Sequence, residues 1–319
     1  MRRRFLFAAI APLLFAGCFS KSDREMLQNT ARAVEYQGSR IDTLEALVTI
    51  PDPIYLPDTV IFAGSRIPTE NNMVRLKLTE AIRLYVGTLQ ARKRFSGYLI
   101  QMQHYGPYWD SAFTAAGYST DYTSIPIVES GLNPRARSRV GAEGPWQIMP
   151  RTGRACGLTI NAVVDERRNI ERALVCAIRH IAGSDSAFHD PSLNVAAFNK
   201  GNGGVQSALQ ENRVTSFYNA VFVRQDGGFN IETMDYVYRV IAVNLIRSNP
   251  ERYFVRDVLL ENNRFDVVIY EVRRRTTLIE LANRFSVPPA IFLHMNPQFE
   301  TNDIPRGRYI IVAPRSSAQ

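Results

Sequence analysis

The chain has 319 residues, enough for about two domains, and its 45% hydrophobic content is that of a folded globular protein, which excludes a largely disordered chain. Lysines and arginines give a formal net charge of +8 but are scattered along the chain without a nucleic-acid-binding motif, which argues against nucleic acid as a partner. Four histidines without a Cys-x-x-Cys or His-Glu-x-x-His motif predict no metal site and no cofactor.

Residues 1–17 have the features of a secretory signal peptide. Three arginines precede an apolar run from Phe5 to Phe15, and the small pair Ala16-Gly17 comes directly before Cys18. The run is too short to span a membrane. Small residues before a cysteine resemble the lipobox of bacterial lipoproteins, which implies a lipid anchor on Cys18; an uncleaved anchor is the alternative. No Asp follows Cys18, and the same resemblance then implies an outer-membrane lipoprotein that faces the periplasm.

Residues 18–70 predict a tether and an N-terminal segment, because prolines interrupt a short helical pattern there. From residue 71 the pattern becomes helical. Asn71 and Asn72 offer an N-cap to a helix that reaches Leu89, and a second helix follows. Gly106-Pro107 is expected to end that helix, with Pro107 in the first turn of a third. The region 71–256 therefore predicts a mainly α-helical domain.

The central stretch suits a general acid. Glu129 follows the apolar run Ile125–Val128 and precedes Ser130 and a glycine. A carboxyl group among apolar neighbours resists ionisation, so its pKa rises and it can keep a proton near neutral pH. Glu143, the other nearby carboxylate, is expected to be a surface residue.

Four ordered motifs carry a family resemblance. They are Glu129-Ser130, Gly144-Pro145-Trp146-Gln147, Ala197-Phe198-Asn199 before Gly201, and Tyr236. Together they resemble the lytic transglycosylases with a goose-lysozyme-like domain, which cleave bacterial cell-wall glycan. The resemblance implies a lysozyme-like fold, no cofactor, and peptidoglycan strands as the partner.

The resemblance also implies a role for each residue. Glu129 would act as the single acid and base, and Tyr236 would support it from across the cleft. Ser130 would orient Glu129 or a substrate amide, Gln147 and Asn199 would donate to acetamido groups, and Trp146 would help wall the cleft. Phe198 stands where the family usually has tyrosine. The implied product is a 1,6-anhydromuramic end; a lysozyme-like hydrolase and a weakly catalytic wall-binding lipoprotein are the alternatives.

Residues 264–314 predict a small second module. The β-rich run Phe265–Val272, two short helices and the closing strand Gly307–Val312 give a β-α-α-β order. This pattern resembles a LysM domain, a small carbohydrate-binding fold, although Arg275 and Thr276 stand where that family usually has Gly-Asp. Glycan binding and a spacer role both remain open.

In an oxidising periplasm Cys156 and Cys176 could pair, but the sequence leaves their proximity open.

Overall fold

A computed structural model describes residues 54–223, 229–254 and 267–314. The predicted signal peptide, Cys18 and most of the predicted tether lie outside the described residues. Helices dominate, which confirms the predicted mainly α class. Across the described ranges, none of the helices has the length and apolarity that a membrane span requires.

A β-hairpin opens the described structure. β1 (Val60–Phe62) pairs antiparallel with β2 (Ser65–Ile67). Val60 and Phe62 are fully buried in the helical core, and the backbone N–H of Ala63 at the turn donates to Asp121 Oδ2 at 2.6 Å. The hairpin therefore packs on the helical part.

Two long helices follow the hairpin. α1 (Asn72–Val86) begins at Asn71, whose side chain accepts hydrogen bonds from two backbone N–H groups of the first turn. α2 (Leu89–Ala115) begins at Thr88 and runs without a break through Pro107. The prediction that Pro107 starts a new helix was wrong.

Packing on both sides of Pro107 explains the continuous helix. Proline costs α2 one backbone hydrogen bond. The rings of Tyr105 and Trp109 stack across this position with centroids 6.0 Å apart, and Trp109 and Phe113 are buried in the core. Burial of these large side chains outweighs the local cost.

The last helix of this part is central. It is buried on nearly every face, packs against α1, and its own neighbours include the short helix that carries Glu129. Most of its residues are buried, which places it inside the core. The helices after α2 are α3 (Ile125–Ser130), α4 (Pro150–Ala155), α5 (Ile170–Phe188), α6 (Pro191–Lys200), α7 (Asn202–Asn212), α8 (Phe217–Val223) and α9 (Ile231–Ser248).

Two cysteines join neighbouring helices. Cys156 follows α4 directly, and Cys176 lies in the middle of α5. Their sulfur atoms form a disulfide across a Cα–Cα distance of 5.4 Å. The bridge fixes α4, which follows the loop of residues 131–149, against the core helix α5.

The C-terminal module has strand, helix, helix and strand in that order. β3 (Val267–Val272) pairs antiparallel with β6 (Tyr309–Pro314). Between them lie α10 (Leu278–Arg284) and α11 (Pro289–Met295), together with the short pair β4 (Thr276–Thr277) and β5 (Asp303–Ile304). Buried Asn296 joins α11 to β6, since its amide donates to the carbonyl oxygens of Phe292 and Val312 and its Oδ1 accepts from the Val312 N–H.

The module packs directly on the helical part. Val164 and Phe299 form a β-bridge, and the N–H of Asp165 donates to the Gln298 carbonyl. The Asn169 amide also donates to the Ile310 carbonyl. These contacts bring the module next to the segment that precedes α5.

Candidate active site

The short helix α3 places Glu129 in its last turn. Ile125, Pro126 and Ile127 are buried and hold the helix in the core. Gly131 ends it in the left-handed conformation at φ 61°, where a Cβ atom would lie 2.8 Å from the Tyr98 hydroxyl oxygen. The chain therefore turns away immediately after Ser130, and the carboxyl group of Glu129 is left at the end of the helix.

Tyr236 of α9 meets this carboxyl group. Its hydroxyl donates to Glu129 Oε1 at 2.6 Å, and the tyrosine is itself buried. Burial raises the pKa of Glu129 from its ordinary 4.5 to about 7; the Tyr236 hydrogen bond opposes this rise, and the charge of nearby Glu232 adds to it. Glu129 keeps partial exposure. The site thus holds a carboxylic acid that is protonated in a large fraction of molecules at neutral pH.

Removing the tyrosine hydroxyl is expected to raise the pKa of Glu129 further. The hydrogen bond from Tyr236 stabilises the carboxylate, and a bond to a charged group is worth about 1.5 kcal/mol or more, which corresponds to about one pKa unit. Titration of the Glu129 carboxyl carbon by NMR in Tyr236→Phe measures this. An unchanged or lower pKa would show that the tyrosine does not stabilise the carboxylate.

Ser130 is hydrogen-bonded to a loop, and its expected role toward a substrate amide stays a prediction. Its hydroxyl oxygen lies 2.9 Å from the Pro145 carbonyl oxygen and 3.2 Å from that of Pro126. The expected contact with Glu129 is absent among the described residues. The serine instead joins the acid's helix to the Gly144–Gln147 turn, so it fixes the position of that turn relative to the carboxyl group.

Gly144 occupies a position that only glycine fits. Its φ is +81°, and a Cβ atom there would lie 1.9 Å from the Arg167 carbonyl oxygen. Its N–H donates to the Ala136 carbonyl. The turn is therefore pressed between the segment of residues 134–139 and the backbone before α5.

The side-chain amide of Gln147 donates its hydrogen bonds within the protein. Its Nε2 lies 3.1 Å from the Ala136 oxygen and 2.8 Å from the Gly144 oxygen. An amide nitrogen has two protons to donate, and both are used within the protein here; the expected donation to an acetamido group stays a prediction. Its Oε1 has no partner among the described residues and can accept.

Trp146 and Phe198 form an aromatic layer. Trp146, which was expected to help wall the cleft, is fully buried. Its ring contacts that of Phe198 at a centroid distance of 6.2 Å, and Phe198 also packs edge-on against His180 at 5.0 Å. Half-buried Phe198 therefore lies between the buried tryptophan and His180.

Asn199 is hydrogen-bonded to α9, the helix that carries Tyr236. Its Oδ1 accepts from the Thr233 hydroxyl at 2.7 Å, one helical turn before Tyr236. The residue is exposed, and its amide nitrogen has no acceptor among the described residues, so that nitrogen can donate to a ligand. Sequence reasoning missed Thr233 and Glu232, although both precede Tyr236 within one turn.

Glu143 is buried, which corrects the expectation of a surface residue. Only 2% of it is exposed. Its carboxylate pairs with Arg168 at 2.9 Å, with Arg137 at 3.7 Å and with Arg167 at 3.9 Å, while Arg167 also makes a two-point contact with Asp165. This ionic cluster braces the loop around Gly144.

Part of the chain is similar to known proteins. Residues 117–221 match the family of the transglycosylase SLT domain. The membrane-bound lytic murein transglycosylase D of Escherichia coli strain K12 is 35% identical over 137 residues, which is 41% of this chain and 29% of that protein. The same protein of Escherichia coli O6:H1 matches equally. The match thus spans less than a third of these curated relatives.

Two solved structures also resemble the chain. The 70 kDa soluble lytic transglycosylase of Escherichia coli matches with a TM-score of 0.43 and 17% identity over 71% of this chain and 45% of its own. An inactive mutant of the lytic transglycosylase Slt from Pseudomonas aeruginosa matches with a TM-score of 0.37 and 23% identity over 50% of this chain and 26% of its own.

Proposed function

We propose that this chain, whose residues 117–221 match a transglycosylase SLT domain, is a peptidoglycan lytic transglycosylase that cleaves the β-1,4 bond between N-acetylmuramic acid and N-acetylglucosamine. One observation carries the proposal: a partly exposed glutamic acid with a pKa of about 7 accepts a hydrogen bond from a buried tyrosine. General acid catalysis works best with a group whose pKa lies near the working pH.

Glu129 would serve in both halves of the reaction. Its proton moves to the glycosidic oxygen as the bond from that oxygen to C1 of the muramic residue breaks. The resulting carboxylate then takes the proton of the muramic C6 hydroxyl while O6 forms a bond with C1. The product is a 1,6-anhydro sugar, no water is consumed, and Glu129 ends the cycle protonated.

The neighbouring residues would hold the acid and the sugar. Tyr236 keeps one carboxyl oxygen of Glu129 occupied, so the other oxygen faces the reaction. The Asn199 amide nitrogen can donate to an acetamido carbonyl, and Gln147 Oε1 can accept from an acetamido N–H. Such positioning lets the internal hydroxyl compete with water at C1.

We also propose where the chain is located and what its C-terminal module binds. A lipid on Cys18 would anchor the chain in the outer membrane and place the catalytic part in the periplasm, next to its substrate. The module of residues 264–314, as a LysM-like domain, would bind glycan. Its contacts with the segment before α5 would hold that binding surface close to the site.

Mass spectrometry of digested sacculi tests this function. We expect the purified protein to release fragments that end in 1,6-anhydromuramic acid. Reducing muramic ends would instead indicate a hydrolase of the same bond. Binding without release would indicate a wall-binding lipoprotein, a candidate that Phe198 favours because it lacks the hydroxyl of the family's usual tyrosine.

A further inference from the structure

Three arginines beside the site form a row that the reaction does not use. Arg135, Arg137 and Arg139 alternate with Ala136 and Ser138, and all three are exposed while the residues between them are half-buried. We name these three residues the arginine ridge. Residues 136–138 are extended around the β-bridge at Arg137, and Arg135 and Arg139 lie in the turns at either end of this stretch.

The backbone under the ridge is fixed to the catalytic turn. The Ala136 carbonyl accepts from the Gly144 N–H and from the Gln147 amide. Arg137 forms a β-bridge with Glu143, and the Ser138 hydroxyl accepts from the Ala142 N–H. The ridge therefore has a fixed position at the edge of the candidate site, only one residue from a contact of Gln147.

Positive charge is in excess around the ridge. The two buried or partly buried arginines behind it, Arg167 and Arg168, already use Asp165, Glu143 and Glu300 as partners. Among the described residues, no carboxylate lies within 4.0 Å of Arg135 or Arg139. Burial and then repulsion from Arg168 lower the pKa of Arg135, although the negative charge of Glu300 opposes this shift. An anion at the ridge would relieve this crowding.

We propose that the arginine ridge binds the carboxylates of the stem peptides that peptidoglycan strands carry on their muramic residues. The inference rests on the proposed function, because it places a glycan strand in the adjoining site. A guanidinium group suits a carboxylate because its N–H groups match the two oxygens. The ridge selects peptide-bearing strands and contributes little to the recognition of the sugars.

Binding measurements on two kinds of soluble glycan strand test the ridge. Strands are prepared from sacculi with stem peptides retained, or with the peptides removed by an amidase and the lactyl carboxylates that this exposes converted to neutral amides; Glu129→Gln prevents digestion of both kinds. We expect Arg135→Gln/Arg139→Gln to weaken binding of peptide-bearing strands about fivefold and to leave binding of stripped strands unchanged. Arg137 is kept because it approaches Glu143.

Two further variants separate charge from structure. Arg135→Lys/Arg139→Lys is expected to recover most of the lost affinity at low salt, since it keeps the charges. Arg83→Gln/Arg213→Gln removes two exposed arginines elsewhere and is expected to bind both strands normally. Equal weakening for both strands, or no weakening for either, would overturn the ridge proposal. Failure of the parent protein to bind stripped strands would instead count against the proposed function.

Discussion

Replacing Glu129 with glutamine is expected to lower the release of anhydromuramic fragments by at least about 10³-fold. Glutamine keeps the size of the side chain but can neither give a proton to the leaving oxygen nor take one from the attacking hydroxyl. Mass spectrometry of digested sacculi measures the loss. Glu211→Gln, which alters an exposed glutamate of α7, is the matched control and should retain activity.

Glu129→Gln is also expected to change how the free energy of unfolding depends on pH. The folded-state pKa of Glu129 is raised from 4.5 to about 7, so the folded chain holds this proton more tightly than the unfolded chain. Stability therefore falls as the pH rises from about 4.5 to 7. Above pH 7, Glu129→Gln should be more stable than the parent by about 1 to 3 kcal/mol, and near pH 4 the difference should vanish. Denaturant melts at both pH values check this, and equal stability throughout would contradict the raised pKa.

Replacing Gly144 with alanine is expected to destabilise the fold by about 4 kcal/mol or more. The new methyl group would lie 1.9 Å from the Arg167 carbonyl oxygen, and both backbones are held by neighbouring contacts. The turn that carries Gln147 would have to move, so activity should fall together with stability. Urea unfolding and product release measure the two effects.

Gly141→Ala is the control for this collision. Gly141 lies in the same loop with φ +88°, but nothing lies within 4 Å of a Cβ atom there. Alanine at this position should lower the free energy of unfolding only through its left-handed backbone conformation, by about 1 to 2 kcal/mol. If both variants lose the same amount, the contact with Arg167 is not what makes Gly144 necessary.

The pairing of Glu129 with Tyr236 could be expected from the sequence because both residues stand in ordered motifs. The N-cap at Asn71 was also readable, since capping depends on residues within one turn of the helix. Such signals are local or carried by a motif, so they can be predicted without knowledge of the fold.

Other features depend on contacts between distant segments. Glu143 reads as an ordinary polar loop residue, and only the approach of Arg168, which the fold brings to 2.9 Å, makes it a buried ion. The sequence around Pro107 predicts a helix start, but α2 continues through Pro107 because Trp109 and Phe113 are buried in the core. The internal hydrogen bonds of Ser130 and Gln147 were not predicted, because both residues bind backbone oxygens of a turn whose path the sequence does not reveal.

In the proposed reaction, one proton-carrying glutamate lets the muramic C6 hydroxyl, and not water, attack C1. Digestion of sacculi in ¹⁸O-labelled water followed by mass spectrometry distinguishes these two nucleophiles. We expect every newly formed muramic end to be anhydro and free of ¹⁸O. Label in the new ends would show that water is the nucleophile and would overturn the proposed reaction.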